Sequence, residues 1–291
     1  MTTRRDLLRL TALAAAAGCT LRLPRAFAAP AGASHPPLIF GVQLFMARRQ
    51  AQQDLANVFR EIKKAGFAQV ELYPIAYNHP APELRRMVAD AGLGAVSGHF
   101  DYEGLASKLD YAHQLGLHFV VCPMLPKDQW TSVEGFRKAA DDFNAWGKAA
   151  KERGMEFTFH NHDYEFKPQG STTGFAELMQ HTDPELVKLE LDLYWLTQAG
   201  QDPAAILTKH ANRVRLIHMK DRTKGAPTSY NMDASSEHFT ELGTGSVQWP
   251  ALLAQAKKQG IHYAFLDQDE THGDVFASMK QSHAYLETLH V

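Results

Sequence analysis

The sequence has little cysteine, no excess of positive charge and, after its first residues, no long apolar run. It contains two cysteines, and only Cys122 lies beyond residue 28, so we expect no intramolecular disulfide. A net charge of −2 without long basic runs argues against a nucleic-acid-binding protein. After residue 28, no apolar run approaches the roughly 18 residues of a membrane span. The 45% hydrophobic content must therefore supply a core that stabilises the chain.

Residues 1–28 predict a twin-arginine export signal. Arg4-Arg5 is followed by an apolar stretch over 10–17 and by a small-residue cleavage pattern at 26–28. The twin-arginine route exports proteins that have already folded, which suits a chain that takes up a metal before it leaves the cytoplasm. We expect residues 29–291 to form a periplasmic protein, and a lipoprotein anchored through Cys19 is the alternative.

Short apolar runs alternate with amphipathic stretches along residues 29–291. The predicted strands are Leu38–Leu44, Ala68–Tyr73, Gly94–His99, Phe119–Cys122, Glu156–His162, Val187–Asp192, Val214–Lys220 and Tyr263–Gln268. The predicted helices are 54–66, 82–91, 105–115, 133–153, 175–181, 204–210, 249–259 and 275–289. This alternation predicts an α/β fold with one domain, a (β/α)8 TIM barrel. A doubly wound open sheet is the alternative, but no glycine-rich phosphate fingerprint follows the first strand.

Two histidines end the fifth predicted strand, Phe157-Thr158-Phe159-His160-Asn161-His162. Alternate side chains of a strand share a face, so we expect His160 and His162 to point into a cavity while the two phenylalanines are buried on the other side. Neutral imidazole is a common metal ligand and a general acid or base near neutral pH. Because the chain has 15 histidines, a polar strand end without a function is the alternative.

Polar side chains also end the other predicted strands, where a barrel places its catalytic groups. They are Gln43, Glu71, His99, Glu190, Asp192, His218, Lys220, Asp267 and Gln268. Strand alternation predicts that Glu190 and Asp192 face inward, as do His218 and Lys220 on the next strand. Imidazole and carboxylate groups without a set of thiolates predict one divalent metal ion (Mn, Zn, Co, Fe or Mg) rather than a structural zinc held by cysteines.

Six short motifs are distributed along residues 41–270. They are Gly41–Leu44, His160–Phe166, Leu191–Trp195, Leu216–Asp221, Glu241–Gly245 and Leu266–Glu270. Together they resemble the xylose isomerase-like TIM barrels known as sugar phosphate isomerases/epimerases. The resemblance implies a divalent-metal enzyme of a group that epimerises ketoses, isomerises sugars, dehydrates inososes or cleaves oxidised glycosides by elimination. These reactions share the removal of a proton beside a carbonyl, while the metal holds the substrate's oxygens.

The resemblance also implies the metal ligands. The first three fall on His162, Asp192 and His218. For the fourth we favour Gln268 over Asp267, because an inward Gln268 would let Ala264 and Leu266 fill the lower barrel.

Further residues are expected to act on the substrate. His160 is the expected proton acceptor, with Glu190 and Glu71 as competitors, and Lys220 is expected to stabilise oxyanion charge. Structural ion pairs are the alternative for Glu71, Glu190 and Lys220. Among the expected substrate contacts are His99, Glu71 and, as a stacking platform, Trp195.

Three functions are compatible with this chemistry. The leading hypothesis is a metal-dependent sugar isomerase or epimerase that abstracts an α-proton and forms an enediolate from a sugar or keto-sugar. The alternatives are a lyase or hydratase that acts on 3-keto-glycosides by elimination, and a noncatalytic sugar-binding barrel. We expect a small-molecule sugar or glycoside as the partner, neither nucleic acid nor a membrane span, and a homo-oligomer stays open. Residues 222–239 are expected to cap the mouth or reach a partner subunit, and Trp130 is expected to pack on a helix.

Overall fold

Eight parallel strands form a barrel in a computed structural model of the chain, which describes residues 37–289. The strands are β1 Ile39–Gln43, β2 Gln69–Glu71, β3 Ser97–His99, β4 Phe119–Cys122, β5 Glu156–His160, β6 Val187–Asp192, β7 Val214–Met219 and β8 Tyr263–Leu266. Their order is β2-β1-β8-β7-β6-β5-β4-β3, and parallel bridges from Gln69 to Gly94 and from Leu72 to Gly98 nearly close the ring. The predicted TIM barrel is confirmed, and the predicted export signal lies outside the described residues.

Helices follow the strands and surround the barrel. They are α1 Arg48–Lys64, α2 Ala81–Asp90, α3 Leu109–Leu115, α4 Val133–Glu152, α5 Gly174–His181, α6 Leu193–Gln198, α7 Pro203–Lys209, α8 Met232–Ser235, α9 Trp249–Lys258 and α10 Val275–Glu287. The sequence analysis missed α6 and α8, which are short. Within residues 37–289, no helix is long and apolar enough to cross a membrane.

The main core lies between the strands and the helices. Phe157 and Phe159 of β5 are fully buried there and contact Phe143 of α4 at ring-centroid distances of 5.2 and 5.0 Å. Burial of each such side chain contributes about 1.5–3 kcal/mol. Because these phenylalanines face outward, Thr158 and His160 face into the barrel, as the alternation predicts.

A second, smaller core fills the inside of the barrel. It consists of Phe119, Val121, Leu216 and Phe265. The Phe265 ring fits because Gly41 on β1 has no side chain: a Cβ there would lie 2.6 Å from the ring. The expectation that Ala264 and Leu266 fill the lower barrel is therefore wrong, since both belong to the outer core.

Candidate active site

The carboxylate of Asp192 has two roles: one oxygen caps a helix, and the other belongs to the candidate site. At the junction of β6 and α6, its Oδ1 accepts a hydrogen bond from the Trp195 backbone N–H at 2.9 Å and so caps the helix. Its Oδ2 is buried and accepts no hydrogen bond from the described residues. A register shift between Leu189 and Glu190 brings Asp192 level with His218 of β7. The cap thus fixes one oxygen and leaves the other facing the barrel mouth.

Side chains from β5, from β7 and from just beyond β8 converge near that oxygen. His160 Nε2 and His218 Nδ1 each lie 3.9 Å from Asp192 Oδ2, and His218 Nδ1 lies 3.5 Å from Asp267 Oδ2. Candidate ligand atoms of Asp192, His218 and Asp267 all lie within 4.8 Å of one another. His218 Nδ1 and Asp267 Oδ1 are also buried without a hydrogen-bond partner among the described residues.

Two buried glutamates lie directly below this cluster. Glu71 Oε2 is 2.6 Å from His218 Nε2, and Glu190 Oε2 is 3.2 Å from His160 Nδ1 and 2.9 Å from His99 Nε2. His160 and His218 therefore each contact a glutamate through one ring nitrogen and direct the other nitrogen toward Asp192. Carboxylate partners of this kind orient histidines that bind metals.

The electrostatics of this layer keep some groups charged and others neutral. Burial opposes ionisation of Glu71, but His99 and His218 outweigh it and hold the pKa of Glu71 well below its usual range. Burial likewise lowers the pKa of His99, yet Glu71 and Glu190 raise that pKa to about 9. Burial, and then the neighbouring His218, lower the pKa of His160, so His160 is neutral. A neutral imidazole can bind a metal or accept a proton.

Lys220 lies among three carboxylates at the mouth. Its Nζ is 2.6 Å from Asp267 Oδ2, 2.6 Å from Asp269 Oδ1 and 3.2 Å from Asp192 Oδ2. Burial would lower the pKa of Lys220, but these aspartates raise it well above the usual value. The sequence analysis missed Asp269, which strand alternation could have found because it lies two residues beyond Asp267 and so points the same way.

The chain turns sharply after β5, which separates the two histidines of the opening motif. Asn161 Oδ1 accepts from the Asp192 backbone N–H at 3.0 Å, and both oxygens of Glu165 lie 3.0 Å from the His162 backbone N–H. His160 belongs, with His99, Glu190 and His218, to a second group of side chains able to hold a metal, whereas His162 belongs to neither group. His162 instead lies beyond the end of the strand, with its buried Nδ1 unpartnered among the described residues.

A cavity of about 280 Å³ opens above the cluster. Of the residues expected at the site, those lining it are Gln43, His99, His160, His162, Lys220 and Asp267. The other expected residues do not line it and are fully buried behind its wall: Glu71, Glu190, Asp192, Trp195 and His218. Gln268 points away: its Oε1 accepts from Ser278 Oγ of α10 at 3.1 Å. The expected inward placement of Gln268 is wrong, because the Phe265 ring inside the barrel puts Asp267 on the inner face.

The segment after β7 lies over this cavity, as its position in the sequence predicts. Met232 of α8 lines the cavity wall. Asp221 anchors the return of the segment, since its carboxylate accepts from the backbone N–H groups of Gly243, Gly245 and Val247 at 2.9–3.1 Å. A Cβ at position 245 would lie 2.2 Å from Asp221 Oδ1, which explains glycine there.

The cluster is chemically suited to a divalent metal ion. Its atoms comprise imidazole nitrogens and carboxylate oxygens, and three of them are buried without a hydrogen bond from the described residues. Leaving such atoms unsatisfied costs about 1–3 kcal/mol each. A bound cation would remove that cost, so Asp192, His218 and Asp267 fit the metal that the family resemblance implies, and His160 Nε2 lies 3.9 Å from Asp192 Oδ2.

Known proteins resemble this chain along most of its length. An inosose dehydratase from Clostridium beijerinckii is 26% identical over 227 residues, which are 66% of this chain and 74% of that protein. Across three such dehydratases, the chain spans from 50% to 74% of the relative's length. A sugar phosphate isomerase/epimerase from Parabacteroides distasonis has a TM-score of 0.74 at 22% identity, covering 89% of this chain and 99% of that one.

A third protein resembles the chain in fold, and its structure carries a metal. The IolI protein with a bound zinc atom has a TM-score of 0.67 at 13% identity, covering 86% of this chain and 97% of that one. Residues 59–286 match the family described as xylose isomerase-like TIM barrel. The chain therefore belongs to the xylose isomerase-like TIM barrel family.

Proposed function

We propose that this protein is a divalent-metal-dependent enzyme that removes the proton α to a carbonyl of a sugar or keto-sugar, in the manner of a sugar isomerase or epimerase. The proposal depends on one observation: Asp192, His218 and Asp267 converge with unpartnered atoms below a cavity open to small molecules. The chain is similar to an inosose dehydratase and to a sugar phosphate isomerase/epimerase, and both names fit this class of enzyme.

We assign the metal to His160, Asp192, His218 and Asp267. The sequence-based hypothesis had His162 and Gln268 as ligands. In this set His160 takes the place of His162, and Asp267 takes the place of Gln268. Two imidazoles and two carboxylates suit Zn, Mn, Co or Fe better than Mg, which prefers oxygen ligands. A divalent ion held there would supply a Lewis acid to the carbonyl oxygen of the substrate.

We assign proton abstraction to His162. It lines the cavity beside His160, at a ring-centroid distance of 4.9 Å, and its Nδ1 is unpartnered among the described residues. Burial, and then the charge of Lys220, lower the pKa of His162 well below its usual value, so its ring is neutral and can accept a proton. His160 cannot take this role while it binds the metal.

Lys220 and His99 provide positive charge on the cavity wall. Both line the cavity. The ammonium group of Lys220 can stabilise negative charge that develops on the substrate oxygen, and the protonated ring of His99 can donate to a hydroxyl. Glu71 and Glu190 act through the histidines, because neither side chain reaches the cavity.

Deuterium exchange tests the proposal directly. The metal-loaded protein is incubated with a 3-keto-glucoside in deuterated buffer, and the α-position is followed by NMR. We expect exchange of the α-proton. If the purified protein holds no stoichiometric divalent metal and catalyses neither exchange nor cleavage, the enzyme proposal fails and the noncatalytic sugar-binding hypothesis replaces it.

An elimination reaction is the second candidate, favoured by the similarity to a dehydratase and by a proton donor in the cavity. In this reaction His162 takes the α-proton, the C–O bond to the leaving group breaks as a C=C bond forms, and Lys220 gives a proton to the departing oxygen. The same incubation distinguishes the two, because elimination releases the aglycone whereas epimerisation leaves the glycoside intact.

We also propose that the protein acts in the periplasm. The support is the order of charged, apolar and small-residue segments in residues 1–28. N-terminal sequencing of protein from a periplasmic extract should give a chain that begins near Ala29. A mature protein that begins at Met1 would contradict export.

A further inference from the structure

A second cavity lies beside the reaction cavity and shares a wall with it. The reaction cavity has a volume of about 280 Å³ and the second cavity about 530 Å³. Met124 and Met232 line both. Because small-molecule sites usually enclose about 300–1,000 Å³, the volume of the reaction cavity alone lies just below this range. The two cavities adjoin at these methionines, and together they offer room for a longer ligand.

A row of aromatic rings extends from one cavity into the other. The ring of His162, in the reaction cavity, lies nearly parallel to Tyr164 at a centroid distance of 6.0 Å and an angle of 15°. Tyr164 in turn contacts Trp130 at 4.1 Å, and both line the second cavity. Trp130 is thus more than a helix-packing residue, because it forms part of a cavity wall.

This aromatic wall is held in place by hydrogen bonds. The Tyr164 hydroxyl accepts from the Leu125 backbone N–H at 3.1 Å, and the side chain of Gln169 donates to the Trp130 carbonyl at 3.2 Å. The rings are therefore positioned before a ligand arrives, which reduces the entropy lost on binding.

The rim of the second cavity is polar. Lys127 and Lys167 are exposed on it, and neither forms an ion pair with any residue in 37–289. Tyr230 is 39% exposed and completes the rim on the side of the segment after β7. Aromatic faces with hydrogen-bond donors around them match a sugar ring, which has apolar C–H faces and a hydroxylated edge.

We infer that the second cavity binds the second ring of a two-ring glycoside whose first ring lies above His160 and Asp267. The inference rests on the proposed function, because that function places the reacting sugar in the first cavity. A free monosaccharide would leave the aromatic wall uncovered. The substrate class is therefore a disaccharide-like glycoside rather than a free ketose.

Binding measurements that need no turnover test this inference. Isothermal titration of the metal-loaded protein compares methyl glucoside with cellobiose and maltose, which carry a β- and an α-linked second ring. We expect at least one disaccharide to bind about tenfold more tightly than methyl glucoside. Trp130→Ala and Tyr230→Ala should each remove most of that gain while leaving methyl glucoside unchanged. Tyr263→Ala, at the opposite end of the barrel, is the matched control and should keep the gain.

The outcomes separate this inference from the proposed function. If neither disaccharide binds more tightly than methyl glucoside, or if both cavity variants keep the gain, the second ring does not bind there. Tighter binding of phenyl glucoside without any gain for the disaccharides would also overturn the inference, since the cavity would then select an aryl group. Deuterium exchange on a methyl 3-keto-glucoside is measured in parallel, and its failure would contradict the proposed function alone.

Discussion

The two ends of the barrel carry the same kinds of side chain in opposite environments. At the amino ends of the strands, Glu156 accepts a hydrogen bond from Arg215 at 3.0 Å and lies 3.5 Å from His118, and these three side chains are 30–57% exposed. At the carboxyl ends, Glu71 and Glu190 contact imidazoles at similar distances but are fully buried.

The difference shows that residue type alone does not identify a site. Charges at the amino end are screened by water and satisfied by each other, so each such pair contributes roughly 0–1 kcal/mol. At the carboxyl end, burial strengthens every interaction, and atoms of Asp192, His218 and Asp267 stay without a hydrogen-bond partner among the described residues. Buried carboxylate and imidazole atoms that lie together without a hydrogen bond, rather than histidines and acids as such, distinguish the end that can bind a metal.

The largest effect is expected for Asp192→Asn. Asparagine can still cap α6, so the fold should persist, but the charge that faces the cluster is lost. We expect metal content to fall from stoichiometric to near zero and activity to fall about a thousandfold, the range for losing a group that stabilises transition-state charge. Elemental analysis and the exchange assay measure both. Asp202→Asn, which changes the corresponding cap of α7, should keep both.

His160 and His162 should give different losses. His160→Ala is expected to lose metal. His162→Asn is expected to retain metal while α-proton exchange falls by about 10²-fold or more, because only the proton acceptor is removed. Metal content and exchange rate are measured on the same preparations. Metal loss in His162→Asn with retention in His160→Ala would restore the assignment made from the sequence.

A smaller effect is expected for Glu190→Gln, and a glutamate at the opposite end of the barrel provides its control. Glu190→Gln removes the carboxylate that orients His160 and should weaken metal binding about 10- to 100-fold, measured by competition with a chelator. Glu156→Gln is the matched control, since it neutralises a histidine-contacting glutamate at the exposed end, and metal affinity should not change. Equal losses in the two variants would show that the contrast between the ends has no functional meaning.

The smallest effect is expected for Gln268→Ala. This change removes one buried hydrogen bond to Ser278, so thermal unfolding should show a loss of about 1 kcal/mol in the free energy of unfolding, with metal content unchanged. Asp267→Asn should lower metal content instead. Metal loss in Gln268→Ala would contradict the inward placement of Asp267.

Alternation along single strands predicted most of the fold and much of the site. Phe119–Cys122 and Val187–Asp192 have the predicted bounds, and the inward faces of β6 and β7 follow from their own apolar residues. The same information placed Asp192 and His218 together, because adjacent parallel strands bring their carboxyl ends to one edge.

The errors arose where the deciding contact lies on another strand. β5 ends at His160 because Asn161 bonds to the backbone of Asp192, and no pattern within β5 reveals this. Likewise, the inner face of β8 is decided by the space that Gly41 leaves for Phe265. Asp267 and Gln268 exchange faces with a shift of a single residue, so periodicity could not separate them.

Through its contact with Phe265, Gly41 on β1 influences the geometry of the site, although β1 supplies no metal ligand. A side chain at position 41 would meet the Phe265 ring, and Asp267 lies two residues farther along the same inner face. Variation at this position would therefore change how the carboxylate is aimed without touching the cavity. Relatives with identical ligands could differ in metal preference through the size of a residue on the first strand.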